Sequence, residues 1–317
     1  MDRALDMIQV AKNAGADAVK FQTFDAHQLV SASAPKATYQ NTATDPDETQ
    51  LEMLSKLQLD HKTFRDLQRY AKRHDLMFLS TAFDLPSLNF LVNDLQLKLL
   101  KVPSGEITNG PLLLEYANSR CPLIVSTGMS TLEEVRTALS VLAFGYTSTE
   151  SPSKEKFVQA YESDEGRKSL VDRVILLHCT TEYPAPLDSV NLNAMVAMRD
   201  IFGLRVGYSD HTSGWEVPCA VVALGGQVIE KHFTLDRNLQ GPDHAASLQP
   251  DELREMVTCI RSVEKVLGDL EKQPQRIEYE NRNVARKSLV ATSRISEGEK
   301  FSESQADSGL QRSIELG

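Results

Sequence analysis

The chain has 317 residues, 41% of them hydrophobic and 25% charged, enough to bury the core of one large domain or two smaller ones. Its 34 basic and 44 acidic residues give a formal net charge of -10, which makes nucleic acid and anionic membranes poor partners but leaves room for a small anion held by local lysines. No apolar run approaches the roughly 20 residues of a membrane span, no basic-then-apolar leader opens the chain, and four scattered cysteines without CxxC pairing predict reduced thiols in the cytoplasm.

The chain opens on a helical pattern over 3–14, with Leu5, Ile8, Val10 and Ala11 on its apolar spacing and Gly15 as the expected cap. Short apolar runs then recur at Ala18–Phe24, Met77–Phe83, Leu99–Pro103, Leu123–Thr127, Val174–Cys179, Val206–Ser209 and Val228–Phe233. Amphipathic stretches such as Lys62–Arg73, Thr131–Leu142 and Gly214–Leu224 separate them. Strand-helix alternation predicts a parallel α/β fold, and short strands ending in polar residues suit a barrel with its chemistry at the C-terminal rim. Seven strands are counted where a (β/α)8 barrel of the TIM type needs eight, so the first strand is expected to be missing; a seven-stranded or open sheet is the other reading. Residues 147–170 are polar and read as a surface excursion. The expected domains are a barrel over 1–267, a linker over 268–285 and the start of a second small domain over 286–317, with a turn at Glu297-Gly298-Glu299.

The strand ends hold the reactive groups. Lys20 and Gln22 close the first run, Lys101, Ser104 and Glu106 the third, and Ser126 the fourth, where a Thr-Gly-Met-Ser turn leads into a helix. Thr181 and Tyr183 follow the fifth. Lysines, serines and a helix N-terminus on one rim predict an anion site, with phosphate the best fit. Glu106 is the expected acid-base group, tuned by burial or by Lys101, with an ion pair that merely orders the loop as the bland alternative. His211 closes the sixth run and His232, 21 residues later, the seventh. That interval is one strand-helix unit, so both imidazoles are expected on the same rim, as ligands for a divalent ion or, for one of them, as a hydrogen-bonding group. An acidic-polar loop with Asp243 and His244 follows.

Read together, GADAVKFQTF at 15–24, KVPSGEITNGPLL at 101–113, STGMSTLEEV at 126–135, LLHCTTEYPAP at 176–186, GYSDHT at 207–212 and EKHFTLDRNLQGPDHAASLQPDEL at 230–253 resemble the sialic acid synthase family. The likeness runs from residue 3 to about 303 and is nearest to the bacterial N-acetylneuraminate and legionaminate synthases. It implies condensation of phosphoenolpyruvate with N-acetylmannosamine or a related N-acetylated hexosamine, on a (β/α)8 barrel followed by a small antifreeze-like (SAF) domain, in a domain-swapped homodimer. It implies a divalent metal, Mn2+ or Mg2+, on His211 and His232; a phosphate and carboxylate cradle of Lys20, Lys101, Ser104 and Ser126; a proton-handling or cation-stabilising role for Glu106; and sugar contacts at Gln22, Tyr183 and Asp243. Thr181 stands where some members carry asparagine. The family's first strand and most of its small domain find no counterpart here, so a truncated chain with low or no synthase activity is expected. The competing readings are a legionaminate-type synthase, a Schiff-base aldolase on Lys101 or Lys231, a catalytically impaired remnant that binds ligand or metal only, and, less suited for want of a third ligand, a metal-dependent hydrolase.

Overall fold

The computed structural model describes residues 1–36, 44–45, 47–300, 302 and 305–310. The chain divides into two compact units, Met1–Leu267 and Gly268–Gly317.

In the first unit seven strands pair in parallel and in sequence order: β1 (Ala18–Thr23), β2 (Met77–Ala82), β3 (Leu100–Val102), β4 (Leu123–Ser126), β5 (Val174–Cys179), β6 (Arg205–Asp210) and β7 (Val228–Lys231). All seven runs expected from the sequence are strands. The third is shorter than its apolar run because Pro103 has no N–H to give a ladder.

Parallel neighbours need a crossover, and helices supply it. Helix α1 (Asp2–Ala14) leads into β1, and α2 (Ala26–Leu29), α3 (Gln50–Leu57) and α4 (His61–Arg73) join β1 to β2. Then come α5 (Leu85–Asn89), α6 (Gly110–Asn118), α7 (Leu132–Thr147), α8 (Lys154–Glu162), α9 (Asp164–Arg173), α10 (Leu192–Phe202), α11 (Glu216–Ala223) and, after β7, α12 (Pro250–Leu267). Local chemistry sets their ends. Gly15 closes α1 at a φ of 83°, a left-handed turn that a side chain would resist. Thr131 and Glu134 form a reciprocal capping box at the start of α7.

The excursion expected over 147–170 is instead mostly the helices α8 and α9. Ser153 and Ser163 cap them by accepting the Lys156 and Gly166 N–H groups. Phe157, Ala160 and Tyr161 are set against the main core and Leu170 is buried in it. The few apolar positions in this polar stretch are spaced for one helical face, and they cover α7.

Side chains alternate across each strand. Val19, Leu100, Leu123, Val125 and Leu176 face the helices and build the main core with residues such as Phe64, Leu67, Leu139 and Leu142. The opposite faces meet one another: Leu79, Ile124 and Leu177 pack together with Ala18, Leu99, Ile175 and Val228. That contact among strands far apart in the sheet requires the sheet to curl into a half-barrel with an apolar floor. A second sign of the curl is that Lys20 on β1 reaches Glu230 on β7 at 3.8 Å. Helix α12 packs against both α1 and α11, burying Leu253, Met256, Val257 and Ile260 with Ala14 and Val222.

In the second unit, residues 278–285, read from composition as linker, form helix α13 (Glu278–Ala285). Strands β8 (Lys287–Ala291) and β9 (Ala306–Leu310) pair antiparallel, and Gly298 takes a φ of 84° in the turn expected at 297–299. Part of the small domain expected over 286–317 lies outside the described residues. All four cysteines are free thiols, and among the described residues no helix is long and apolar enough to cross a membrane.

Candidate active site

Two residues up each strand from the apolar floor, the same inner face turns polar. Ala18 gives way to Lys20 and Gln22, Leu79 to Thr81, Leu99 to Lys101, Ile124 to Ser126, Leu177 to Cys179, and Val228 to Glu230 and His232. These polar side chains line a cavity of about 260 Å³ above the floor. The loops that follow the strands complete its wall with Ser104, Thr181, Tyr183, His211 and Asp243. Thus Lys20, Gln22, Lys101, Ser104, Ser126, Thr181, Tyr183, His211, His232 and Asp243 are brought together. Glu106 is not among the lining residues: its carboxylate accepts a 2.7 Å hydrogen bond from Asn109 Nδ2, in the short 3-10 turn after β3.

Lys101 is the most deeply placed cation, 3% exposed. Its Nζ donates to Ser126 Oγ at 2.7 Å and to the Val102 carbonyl at 3.1 Å. Burial lowers its pKa to about 8, against the opposing pull of Glu230. The carboxylate that faces it is Glu230, whose Oε2 lies 3.8 Å from Lys101 and whose Oε1 lies 3.8 Å from Lys20 and accepts from Ser209 Oγ at 3.2 Å. Burial would push this carboxyl up, but Lys101 and Lys20, then His232 and Ser209, together outweigh it and hold it at about 2. The ion pair weighed for Lys101 is therefore made with Glu230 and not with Glu106.

The two imidazoles stand on this cluster's rim, with ring centroids 5.4 Å apart. Tyr183 lies against both, 4.2 Å from the His211 ring and 5.6 Å from that of His232. His211 Nδ1 is 2.7 Å from the Thr180 carbonyl, so that nitrogen carries the proton and Nε2 keeps its lone pair. Burial lowers the pKa of His211, and burial, with Lys20 and His211, takes His232 down to about 3. Both rings are neutral at pH 7, as metal ligands must be. Asp243 Oδ2 lies 3.9 Å from His232 Nδ1. Among the described residues no group of three or more His, Cys, Asp and Glu side chains converges as a cage. Two imidazoles beside open cavity suit a divalent ion whose remaining ligands are oxygens of substrate or water. His178 is not among the lining residues; its Nε2 bonds the Val190 carbonyl at 2.9 Å.

Sequence reasoning passed over three cavity groups. Glu230 was legible: two residues before His232 on one strand, it shares the face of that histidine. Ser209 stands in the same relation to His211. Thr81 carried no signal beyond its place in an apolar run, yet its hydroxyl is buried with no hydrogen-bond partner. An orphaned hydroxyl in a polar cavity is a group suited to a ligand atom. The apolar part of the lining comes from Met53, Leu54 and Leu57 of α3, Phe83 and Met129. Lys231 does not line the cavity, which removes it as a Schiff-base nucleophile there.

Comparison with known proteins agrees with this architecture. Residues 7–272 match the NeuB family. The chain is 47% identical over 303 residues to the N,N'-diacetyllegionaminic acid synthase of Campylobacter jejuni, covering 96% of this chain and 84% of that protein. It is 31% identical over 299 residues to the human N-acetylneuraminate-9-phosphate synthase, covering 94% and 76%. The solved structure of the N-acetylneuraminic acid synthetase of Leptospira borgpetersenii, in complex with citrate, superposes with a TM-score of 0.71 at 30% identity, over 89% of this chain and 86% of that one.

Proposed function

This chain belongs to the NeuB family, and we propose that it condenses phosphoenolpyruvate with an N-acetylated hexosamine to give a nine-carbon 2-keto acid and phosphate. The observation that carries this reading is the cluster of Lys101, Ser126, Lys20 and Glu230 directly below two neutral imidazoles. Two ammonium groups, Ser104 and Ser126 and the unpartnered Thr81 hydroxyl form a cradle for a substrate that carries both phosphate and carboxylate.

His211 and His232 would hold a divalent ion, Mn2+ or Mg2+, and such an ion, when bound, supplies Lewis-acid polarisation of a carbonyl oxygen. The chain's own groups do the rest. Lys101 and Lys20 bind and orient the anion over the apolar floor. As carbon 3 of phosphoenolpyruvate forms its bond to the sugar aldehyde, positive charge grows at carbon 2. Glu230, held ionised by its two lysines, is the carboxylate in the cavity able to stabilise that charge. We assign it the role first expected of Glu106. Water then adds at carbon 2, and the tetrahedral intermediate loses phosphate by C–O cleavage.

Gln22, Thr181, Tyr183 and Asp243 offer polar contacts for sugar hydroxyls, and the wall of Met53, Leu54, Leu57, Phe83 and Met129 offers an apolar surface for acyl methyl groups. The only lining cations among the described residues are the two lysines, and in this reading the phosphoenolpyruvate anion takes up both. That favours an uncharged acetamido sugar, of the N-acetylmannosamine or legionaminate-precursor kind, over a sugar phosphate.

The test is phosphate release from phosphoenolpyruvate with Mn2+, with and without N-acetylmannosamine or 2,4-diacetamido-2,4,6-trideoxymannose. Sugar-dependent release that is lost in a His211→Ala, His232→Ala variant is expected. A folded chain that releases no phosphate with either sugar would overturn the reading in favour of a binding remnant.

A further inference from the structure

Asp210 and Lys231 stand immediately before His211 and His232 and are register partners across β6 and β7. Alternation along the strands sends them the other way from their neighbours. Ser209, His211, Glu230 and His232 line the cavity, whereas Asp210 and Lys231 turn behind it. There Lys231 Nζ meets Asp210 Oδ2 at 2.6 Å, with the two side chains only 2% and 0% exposed. The remaining two donors of the ammonium go to the carbonyls of Thr212 and Gly214, the latter at 2.9 Å. Asp210 in turn accepts the Thr212 N–H at 3.0 Å and the Thr212 hydroxyl at 3.2 Å.

Every polar atom of this pair is thus spent on holding the chain that leaves His211 against the strand that carries His232. A buried ion pair gives little net stability over apolar side chains of the same volume. Its bonds to the loop carbonyls, by contrast, have no apolar substitute. We propose that Asp210 and Lys231 are the positioning pair of the site: acting from behind the sheet, they fix the spacing and orientation of the two imidazoles. In its metal-binding consequence this rests on the reading that His211 and His232 hold a divalent ion; the positioning itself does not.

The test compares the full chain with the double variant Asp210→Leu, Lys231→Met, which replaces the pair by apolar groups, and with Lys231→Arg, which keeps the charge but not the compact three-donor geometry. Three readouts apply: thermal melting, titration with Mn2+ alone followed by water-proton relaxation, and 15N NMR of the histidine side chains. The double variant is expected to melt cooperatively, to bind Mn2+ about 10- to 100-fold more weakly, the range for groups that orient metal ligands, and to lose the single Nδ1–H tautomer of His211. Lys231→Arg should move the last two readouts in the same direction. Cooperative melting with Mn2+ affinity and His211 tautomer both unchanged would overturn the proposal. Should the double variant fail to fold, Lys231→Arg alone decides by the same criteria. If the unaltered chain takes up no Mn2+, the metal reading fails and the tautomer still decides the positioning role.

Discussion

The Glu230 carboxylate lies 3.8 Å from the ammonium of Lys101, whose nearest polar neighbour is the Ser126 hydroxyl at 2.7 Å. A negative group so placed can answer positive charge that develops on a substrate held by the same lysine. Glu106 accepts from Asn109 and is not among the residues that line the cavity. Glu230→Gln is therefore expected to lower the rate of sugar-dependent phosphate release at least about 100-fold, the scale for removing one preorganised charge partner. Glu106→Gln should stay within about tenfold of the unaltered chain. Initial rates on both variants, with circular dichroism as the check on folding, decide it. A larger loss at Glu106 than at Glu230 would reverse the assignment.

Lys101 gives the site a pH signature. Burial lowers its pKa from 10.5 to about 8, so it surrenders its proton as pH rises through 8. The KM for phosphoenolpyruvate should then climb above pH 8, by up to tenfold per unit, and Lys101→Met should show a high KM with this limb removed. Stability should move the other way. Between pH 8 and 10.5 the unfolded lysine holds a proton that the folded one has lost, and stability rises with pH wherever the unfolded state binds more protons. Affinity and the Lys101 share of stability thus run in opposite directions across one window. Kinetics and denaturant melts at pH 7.5, 8.5 and 9.5, each compared with Lys101→Met, measure both; a flat KM would show that a different cation holds the anion.

The strand that carries Lys101 is barely paired to its neighbour. Between β2 and β3 only Thr81 and Lys101 are register partners. The buried Tyr116 hydroxyl of α6 bridges the gap, accepting the Ala82 N–H at 3.1 Å and lying 2.7 Å from the Ala82 carbonyl and 2.9 Å from the Lys101 carbonyl. Tyr116→Phe leaves these groups buried and unmatched, at about 1–3 kcal/mol. Urea unfolding should show a lower midpoint at unchanged slope. A midpoint shift worth less than about 0.5 kcal/mol would mean that water or strand rearrangement serves the carbonyls instead.

The strands were legible as short apolar runs between helical stretches, and most of the cavity wall as the polar residues that end those runs. His211 and His232 could be set on one rim from their spacing alone. The place of Glu106 outside the cavity lining was not legible, because sequence adjacency to Lys101 says nothing about where a loop turns after Pro103. Glu230 did carry a signal, since the two-residue period of a strand puts it on the same face as His232. The helices α8 and α9 hid in polar composition, since a helix covering another helix needs only a narrow apolar stripe. Nothing in the sequence assigns α3 to the cavity, since its approach depends on tertiary packing rather than on any local signal.

Gly128 supplies the most local test of the anion cradle. Its N–H donates to Ser104 Oγ at 3.0 Å, and a Cβ there would stand 2.5 Å from Thr181 Oγ1, 2.8 Å from Ser104 Oγ and 3.3 Å from Cys179 Sγ. All three neighbours line the cavity, so a methyl group cannot be admitted without moving the side chains that face substrate. Both oxygens end short side chains that can rotate, so the fold should survive while the wall deforms. Gly128→Ala is expected to raise the KM for phosphoenolpyruvate about tenfold or more, with a melting temperature within a few degrees of the unaltered chain. Adding Ser104→Ala should leave that KM little changed or lower it, because the double variant relieves the 2.8 Å serine contact even as it gives up a hydroxyl. If Gly128→Ala instead binds substrate normally, Ser104 and Thr181 have room to step back, and neither is a tight contact of the bound anion.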